Sequence, residues 1–213
     1  MFITFEGIEG CGKSTQAALL SKQLERMGVD FILTREPGGT AIGSVIRRIL
    51  LDSSNSHLSA RAELFLYAAD RAQHVSEVIM PALDNGRWVI CDRFMDATTV
   101  YQGVARRQDP GLVASINEMA CLGVVPDITF LIDCDVDLAL GRALRRNMET
   151  ADKGQDRFEK EVTAFHEAVR RGYLDLARSN SARFFILDGS EGVSAVQKKI
   201  IFLLESHIEG KTS

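Results

Sequence analysis

Apolar and polar positions along the chain switch between two periods. Phe2 to Phe5 is a short, β-rich apolar run soon followed by glycine, and Ser14 to Met27 then sets Ala17, Leu20, Leu24 and Met27 on one helical face before Gly28. Val29 to Thr34 reads as a second strand, ended by the loop Arg35-Glu36-Pro37-Gly38-Gly39-Thr40, and a short helix follows over Ile42 to Leu51. Between Ser59 and Leu83, the residues Leu64, Ala68, Ala72, Val75, Ile79 and Leu83 recur at helical spacing, with Pro81 marking strain or an early end. Trp88 to Cys91 and Ile128 to Ile132 are compact apolar runs ending in acids, Asp92-Arg93 and Asp133. Asp109-Pro110 starts a helix over Leu112 to Leu122, with Gly123 as its C-cap. Phe158, Val162, Phe165, Val169, Tyr173 and Leu176 mark a long helix, Phe184 to Leu187 a fifth strand, and Val193 to His207 a last helix.

Five buried strands alternating with helices predict an α/β fold: a five-stranded parallel sheet covered on both faces, with ligands at the carboxyl ends of the strands. Gly7, Arg35, Asp92 and Asp133 all fall at those ends. Asn147 to Gln155 is polar with almost no apolar residue and follows the basic cluster Arg142, Arg145 and Arg146, which reads as a flexible lid over approximately residues 142–157.

Composition narrows the class. The 213 residues, 46% hydrophobic and 25% charged, suit a single globular domain over residues 1–213. A net charge of −4 offers no global basic field for nucleic acid or anionic lipid, so an anionic ligand requires a local site. No run approaches the ~18 apolar residues of a membrane helix, and Cys11, Cys91, Cys121 and Cys134 lack C-x-x-C spacing, which places reduced thiols in the cytoplasm. The histidines stand too far apart for a zinc-type site.

The chemistry begins at Gly7-Ile8-Glu9-Gly10-Cys11-Gly12-Lys13-Ser14, which matches G-x-x-x-x-G-K-[ST] between a strand and a helix and predicts the P-loop NTPase fold. Its glycines let backbone N–H groups turn inward around phosphate oxygens, with Thr15 continuing into the helix. Lys13 reaches the β/γ-phosphates of ATP, and Ser14 offers a hydroxyl to Mg²⁺. Asp92, closing a strand, is the candidate second magnesium group, with Asp133 as its rival. Arg93 beside Asp92 suits a second, phosphate-bearing substrate, whereas a strand-end ion pair is the plainer reading. Neither D-x-x-G nor N-K-x-D occurs, so the parts of a guanine-reading switch are missing.

Tyr67 and Arg71, four apart on one helix face, can stack on and hydrogen-bond a base, or simply serve as a core aromatic and a solvated cation. Arg142, Arg145 and Arg146 are either a solvated face or lid cations that stabilise a transferring phosphoryl group. Another nucleoside-monophosphate kinase and a nucleotide-gated binding protein are the rival functions.

Together these segments resemble the thymidylate kinases of the bacterial type. The resemblance spans the chain and rests on Phe5-Glu6-Gly7 through Ser14, Thr34 to Thr40, Tyr67-Ala68-Ala69-Asp70-Arg71, Cys91-Asp92-Arg93-Phe94, Thr98-Thr99 before Tyr101-Gln102-Gly103, and Asp156-Arg157-Phe158-Glu159. It implies transfer of phosphate from ATP to dTMP, and a homodimer. Glu9 would face the deoxyribose and disfavour a ribonucleotide, and Pro37 would follow a cis peptide shaping the acceptor site. Arg47 and Arg93 would grip the acceptor phosphate. Tyr67 would stack on thymine, where the family more often has phenylalanine, and Arg71 would address a base carbonyl. Thr98 and Gln102 would border the thymine edge, and Tyr101 the sugar. With Cys11 rather than an arginine in the P-loop, the catalytic arginine would lie in the lid, leaving Arg145, Arg146 and Arg157 as candidates.

Overall fold

The computed structural model describes residues 1–149 and 156–211. Five strands, β1 (Phe2–Glu6), β2 (Phe31–Arg35), β3 (Trp88–Asp92), β4 (Ile128–Asp133) and β5 (Phe184–Asp188), form one parallel sheet in the order β2-β3-β1-β4-β5. Every residue of β1 is buried, as expected of a central strand covered on both faces. Ile3 and Phe5 share one core with Leu20 and Leu24 of α1 (Lys13–Arg26) and Ile200 and Leu204 of α9 (Val193–Lys211). Phe2 packs instead with Val75, Ile79 and Phe94, while Glu6, two positions further on each time from Phe2 through Thr4, accepts from the hydroxyl of Tyr173.

The remaining helices are α2 (Ala41–Leu51), α3 (Ala60–His74), α4 (Met80–Asp84), α5 (Met95–Thr98), α6 (Pro110–Cys121), α7 (Val136–Glu149) and α8 (Thr163–Ser179). The helical stretch expected between Ser59 and Leu83 is α3 and α4 joined by a π-helical stretch, Val75–Ile79. Pro81 lacks an N–H for the carbonyl one turn back, and a widened turn just before it accommodates the missing bond. Asp109 caps α6 as expected, accepting from Leu112 N–H at 2.8 Å, but the helix closes on Leu122 at φ 50°, with Gly123 one position beyond.

Two expectations are corrected in detail, and one stretch takes a form that the sequence does not predict. β2 starts at Phe31 rather than Val29, because Val29 N–H closes α1 through Leu24 O and Asp30 pairs with Arg87. Phe158 precedes α8 in a turn, its ring held 4.6 Å from the Arg157 guanidinium and 5.5 Å from the Tyr101 ring. The chain after Phe94, which carries no clear periodicity, forms α5 and a π-helical stretch, Thr99–Ala105. Within the segment expected as a lid, residues 142–149 continue α7 and Asp156-Arg157 enter a turn; residues 150–155 lie outside the described residues.

Candidate active site

A cleft of about 620 Å³ opens at the carboxyl ends of β1, β2 and β3. Its donor end is the loop from Gly7 to Ser14. Gly7, Gly10 and Gly12 adopt φ of 138°, 74° and 109°, a region open to glycine. At Gly10 a Cβ would meet the carbonyl oxygen of Ala139 at 1.9 Å, so the loop lies directly against α7. Ile8 and Cys11 are buried anchors, while Thr15 stands exposed on the first turn of α1. Lys13 Nζ donates to Ile8 O at 2.7 Å, folding the ammonium back over the loop. The Ser14 hydroxyl donates to Asp92 Oδ2, so the two candidate magnesium groups face each other in the cleft. Asp133, the rival, is clamped in a fork by Arg170 at 2.7 and 2.9 Å and does not line the cleft.

Cations line the middle of the cleft. Arg93, at φ 71°, donates through Nη2 to Glu9 Oε1 at 2.8 Å and to Tyr101 Oη at 3.1 Å, and through Nη1 to Tyr173 Oη at 3.1 Å. Burial opposes charge on Glu9, but Arg93, Lys13 and the hydrogen bond from Tyr101 outweigh it and hold the carboxyl well below its usual range. Arg47 Nη1 donates to Pro37 O at 2.9 Å across the turn that follows the cis Glu36–Pro37 peptide. Burial and the neighbouring Arg35 make the Arg47 guanidinium easier to deprotonate than usual, as cations converging without an anion would.

The far end is a buried polar network built around Arg71. Its Nε donates to Glu36 Oε2 at 2.9 Å, its Nη1 to Asn117 Oδ1 at 2.8 Å, and its Nη2 to Thr98 Oγ1 at 2.8 Å and Phe94 O at 3.3 Å. The fifth N–H, on Nη1, has no partner among the described residues, and Arg71 lines the cleft floor. Arg71 is therefore neither a solvated cation nor a packing accident. Thr98 lies behind it and does not line the cleft, whereas Gln102 does, donating to Glu63 Oε1 at 2.8 Å. The Tyr67 ring lines the same end, 6.4 Å from that of Phe158.

The three candidate lid arginines separate. Arg146 lines the cleft and pairs with Glu159 at 3.3 Å. Arg145 is exposed and lies outside it. Arg157 is buried, donating to Leu50 O at 2.5 Å and Glu63 Oε2 at 2.6 Å, and borders a separate cavity of about 260 Å³. The structure thus does not bring Arg145 or Arg157 to the cleft.

Several supports escaped sequence reasoning. Glu36 and His74 tie Arg71 to the Pro37 loop, with His74 Nδ1 3.0 Å from Glu36 Oε1 and Nε2 2.7 Å from Thr34 Oγ1. Tyr173 joins Arg93 to Glu6 at 2.7 Å. One signal was present: Gly172, in mid-helix, lets α8 approach Val100, whose methyl would lie 3.0 Å from a Cβ there.

A family model described as thymidylate kinase matches residues 5–200. A thymidylate kinase of Pelobacter propionicus is 52% identical over 200 residues, covering 94% of this chain and 91% of that protein. One of Trichlorobacter lovleyi is 53% identical over 190 residues, covering 89% and 90%. The crystal structure of thymidylate kinase from Ehrlichia chaffeensis superposes with a TM-score of 0.77 at 35% identity, covering 96% of this chain and 98% of that one. With the P-loop, the cation-lined cleft and the Arg71 network arranged along a sheet of this topology, the chain belongs to the thymidylate kinase family.

Proposed function

We propose that this chain, acting as one domain, transfers the γ-phosphoryl group of ATP to dTMP, giving dTDP and ADP. The observation that carries the reading is the single cleft with a phosphate cradle at one end, Arg47 and Arg93 in its middle, and Tyr67 with Arg71 at the other. A nucleotide triphosphate in the Gly7–Ser14 loop and a monophosphate gripped by Arg47 and Arg93 would meet phosphate to phosphate. The Tyr67 ring stacks on the base and the spare Arg71 N–H addresses a base carbonyl. Gln102 borders the base edge directly, while Thr98 acts through Arg71.

Phosphoryl transfer is largely positioning and charge stabilisation. Lys13 lies where charge builds between the β- and γ-phosphates, Arg93 holds the acceptor oxygen in line, and Arg146 is assigned the role of the lid cation. Glu9 sits among these cations as a carboxylate. Repelled by both phosphates, it takes a neutral hydrogen-bond donor, and its place beside Arg93, between the phosphate grip and the base-binding end, assigns it a sugar hydroxyl; Tyr101, donating to Glu9 Oε1 at 2.7 Å, borders the same sugar.

A hydroxyl and a carboxylate beside a phosphate site are the hard oxygen donors that Mg²⁺ prefers, since it takes one or two carboxylates plus substrate phosphates. Ser14 and Asp92 would hold it, and the ion when bound neutralises phosphate charge. Among the described residues no helix is long and apolar enough to cross a membrane. The four cysteines are free and buried, which favours a reducing cytoplasm. Ile42, Val45 and Ile49 form an exposed apolar stripe on α2, which packs against α3 with its exposed Phe65, and we assign it to the homodimer contact.

A coupled ADP-release assay across nucleoside monophosphates tests the reading. dTMP should give the highest kcat/KM. Preference for another acceptor, or ADP release that no acceptor accelerates, would refute it.

A further inference from the structure

The carboxylate of Glu9 is unevenly satisfied. Oε1 takes Arg93 Nη2 at 2.8 Å and Tyr101 Oη at 2.7 Å, whereas Oε2 is buried and has no hydrogen-bond partner among the described residues. His166 Nδ1 on α8 lies 3.6 Å from it. His166 is wholly buried, and neither of its ring nitrogens has a hydrogen-bond partner among the described residues. Its ring packs edge-on to Phe165 at 5.6 Å, and Phe165 in turn meets the Tyr101 ring at 6.1 Å. A buried imidazole with neither nitrogen hydrogen-bonded is unusual, because native interiors satisfy nearly all such groups. A gap of 3.6 Å is too long for a hydrogen bond, but polar contacts at an active site are often long without substrate and tighten when it binds.

We propose that His166 is a positioning residue for acceptor selection: as the acceptor binds, Nδ1–H donates to Glu9 Oε2 and locks the carboxylate toward the acceptor's sugar. With Oε1 held by Arg93 and Tyr101 and Oε2 by His166, the carboxylate cannot swing to accommodate an extra hydroxyl on the sugar. Discrimination between a deoxyribonucleotide and its ribonucleotide counterpart then depends on a helix, α8, outside every segment that binds substrate. Because Arg93 shares the Glu9 carboxylate, the same contact steadies the group that grips the acceptor phosphate. The ATP end of the cleft is untouched by it.

This inference rests on the dTMP kinase reading, and the two fail differently. If wild-type protein does not phosphorylate dTMP, the reading itself falls; the His166 claim is decided by variants compared with a wild type that does. Steady-state rates are measured with dTMP and with ribothymidine 5′-monophosphate at saturating ATP. His166→Phe keeps the ring volume without the donor and should raise KM for dTMP about tenfold. It should lower the deoxy/ribo ratio of kcat/KM by a similar factor and leave KM for ATP unchanged. His166→Asn, whose amide nitrogen can stand in for Nδ1, should restore both values to within about threefold. A phenylalanine variant with wild-type KM and ratio, or an asparagine variant no better than phenylalanine, would overturn the proposal. A purely structural histidine would move kcat and both KM values together and would show no rescue. Wild-type protein gives a second reading that needs no variant to fold. In a crystal structure with dTMP bound, Nδ1 to Oε2 should shorten to about 3.2 Å or less, and a distance still at or above 3.6 Å would overturn it.

Discussion

Arg71 Nε donates to Glu36 Oε2 at 2.9 Å from 35 positions along the chain, and the two side chains are 1% and 3% exposed. Through His74 and Thr34, the same carboxylate fastens the helix that carries the proposed base-binding arginine to the strand leading into Pro37. Removing one partner of a buried ion pair leaves the other charge stranded, at a cost of about 3–5 kcal/mol. Glu36→Ala should therefore lower the melting temperature by roughly 6–20 °C, at about 2–4 °C per kcal/mol for a chain of this size. Calorimetry decides it; a fall under about 2 °C would mean that Arg71 finds water or another acceptor.

Lys13 is held over the P-loop by Ile8 O. Lys13→Ala removes the cation nearest the developing phosphate charge, and loss of one such preorganised donor lowers kcat by roughly 10²–10³. Titration calorimetry with dTMP should give an unchanged Kd, because Arg47 and Arg93 remain. Turnover within threefold of wild type would show that Lys13 is misassigned.

Gly10 approaches α7 so closely that any Cβ collides with the Ala139 carbonyl, and its φ of 74° adds about 1–2 kcal/mol for an L side chain. Gly10→Ala should destabilise the fold by more than that penalty and raise KM for ATP above KM for dTMP in proportion. Equal changes in the two KM values would place the damage elsewhere.

Much of this architecture is legible from residue order. The five apolar runs and the amphipathic helices appear close to where their periods put them, because burial on both faces leaves little choice for Phe2–Glu6 or Ile128–Asp133. The P-loop is legible for the same kind of reason, since its glycines answer to positive φ. Strand order is not, because it depends on crossovers that no local pattern records. The stretch that presents Tyr101 and Gln102 is π-helical, a geometry without a sequence period of its own. Arg157 illustrates the limit at the site. Its neighbours suggest a lid cation, yet two long-range partners, Leu50 and Glu63, hold it in a different cavity, 107 and 94 positions away in sequence. Glu36 and His166 were equally silent, since a buried polar partner is recognised by what it touches.

Glu6 supplies a pH dependence. Burial, with Asp96 nearby, pushes its carboxyl up to about 7, against a usual value of roughly 4. The folded protein therefore holds a proton that the unfolded chain releases. Stability from this group is present below about pH 4 and is lost as pH rises to about 7. Denaturant unfolding of wild type and Glu6→Gln at pH 5 and pH 8 should show the wild type losing roughly 1–3 kcal/mol relative to the variant at the higher pH. A difference that does not move with pH would mean that Glu6 is charged throughout.

The most direct measurement is a crystal structure with ADP and dTMP bound together. The β-phosphate of ADP should lie on the backbone N–H groups of Gly10 to Ser14 beside Lys13, the phosphate of dTMP on Arg47 and Arg93, and its base between Tyr67 and Arg71. dTMP found outside this cleft, or a thymine ring remote from Arg71, would contradict the shared-cleft mechanism.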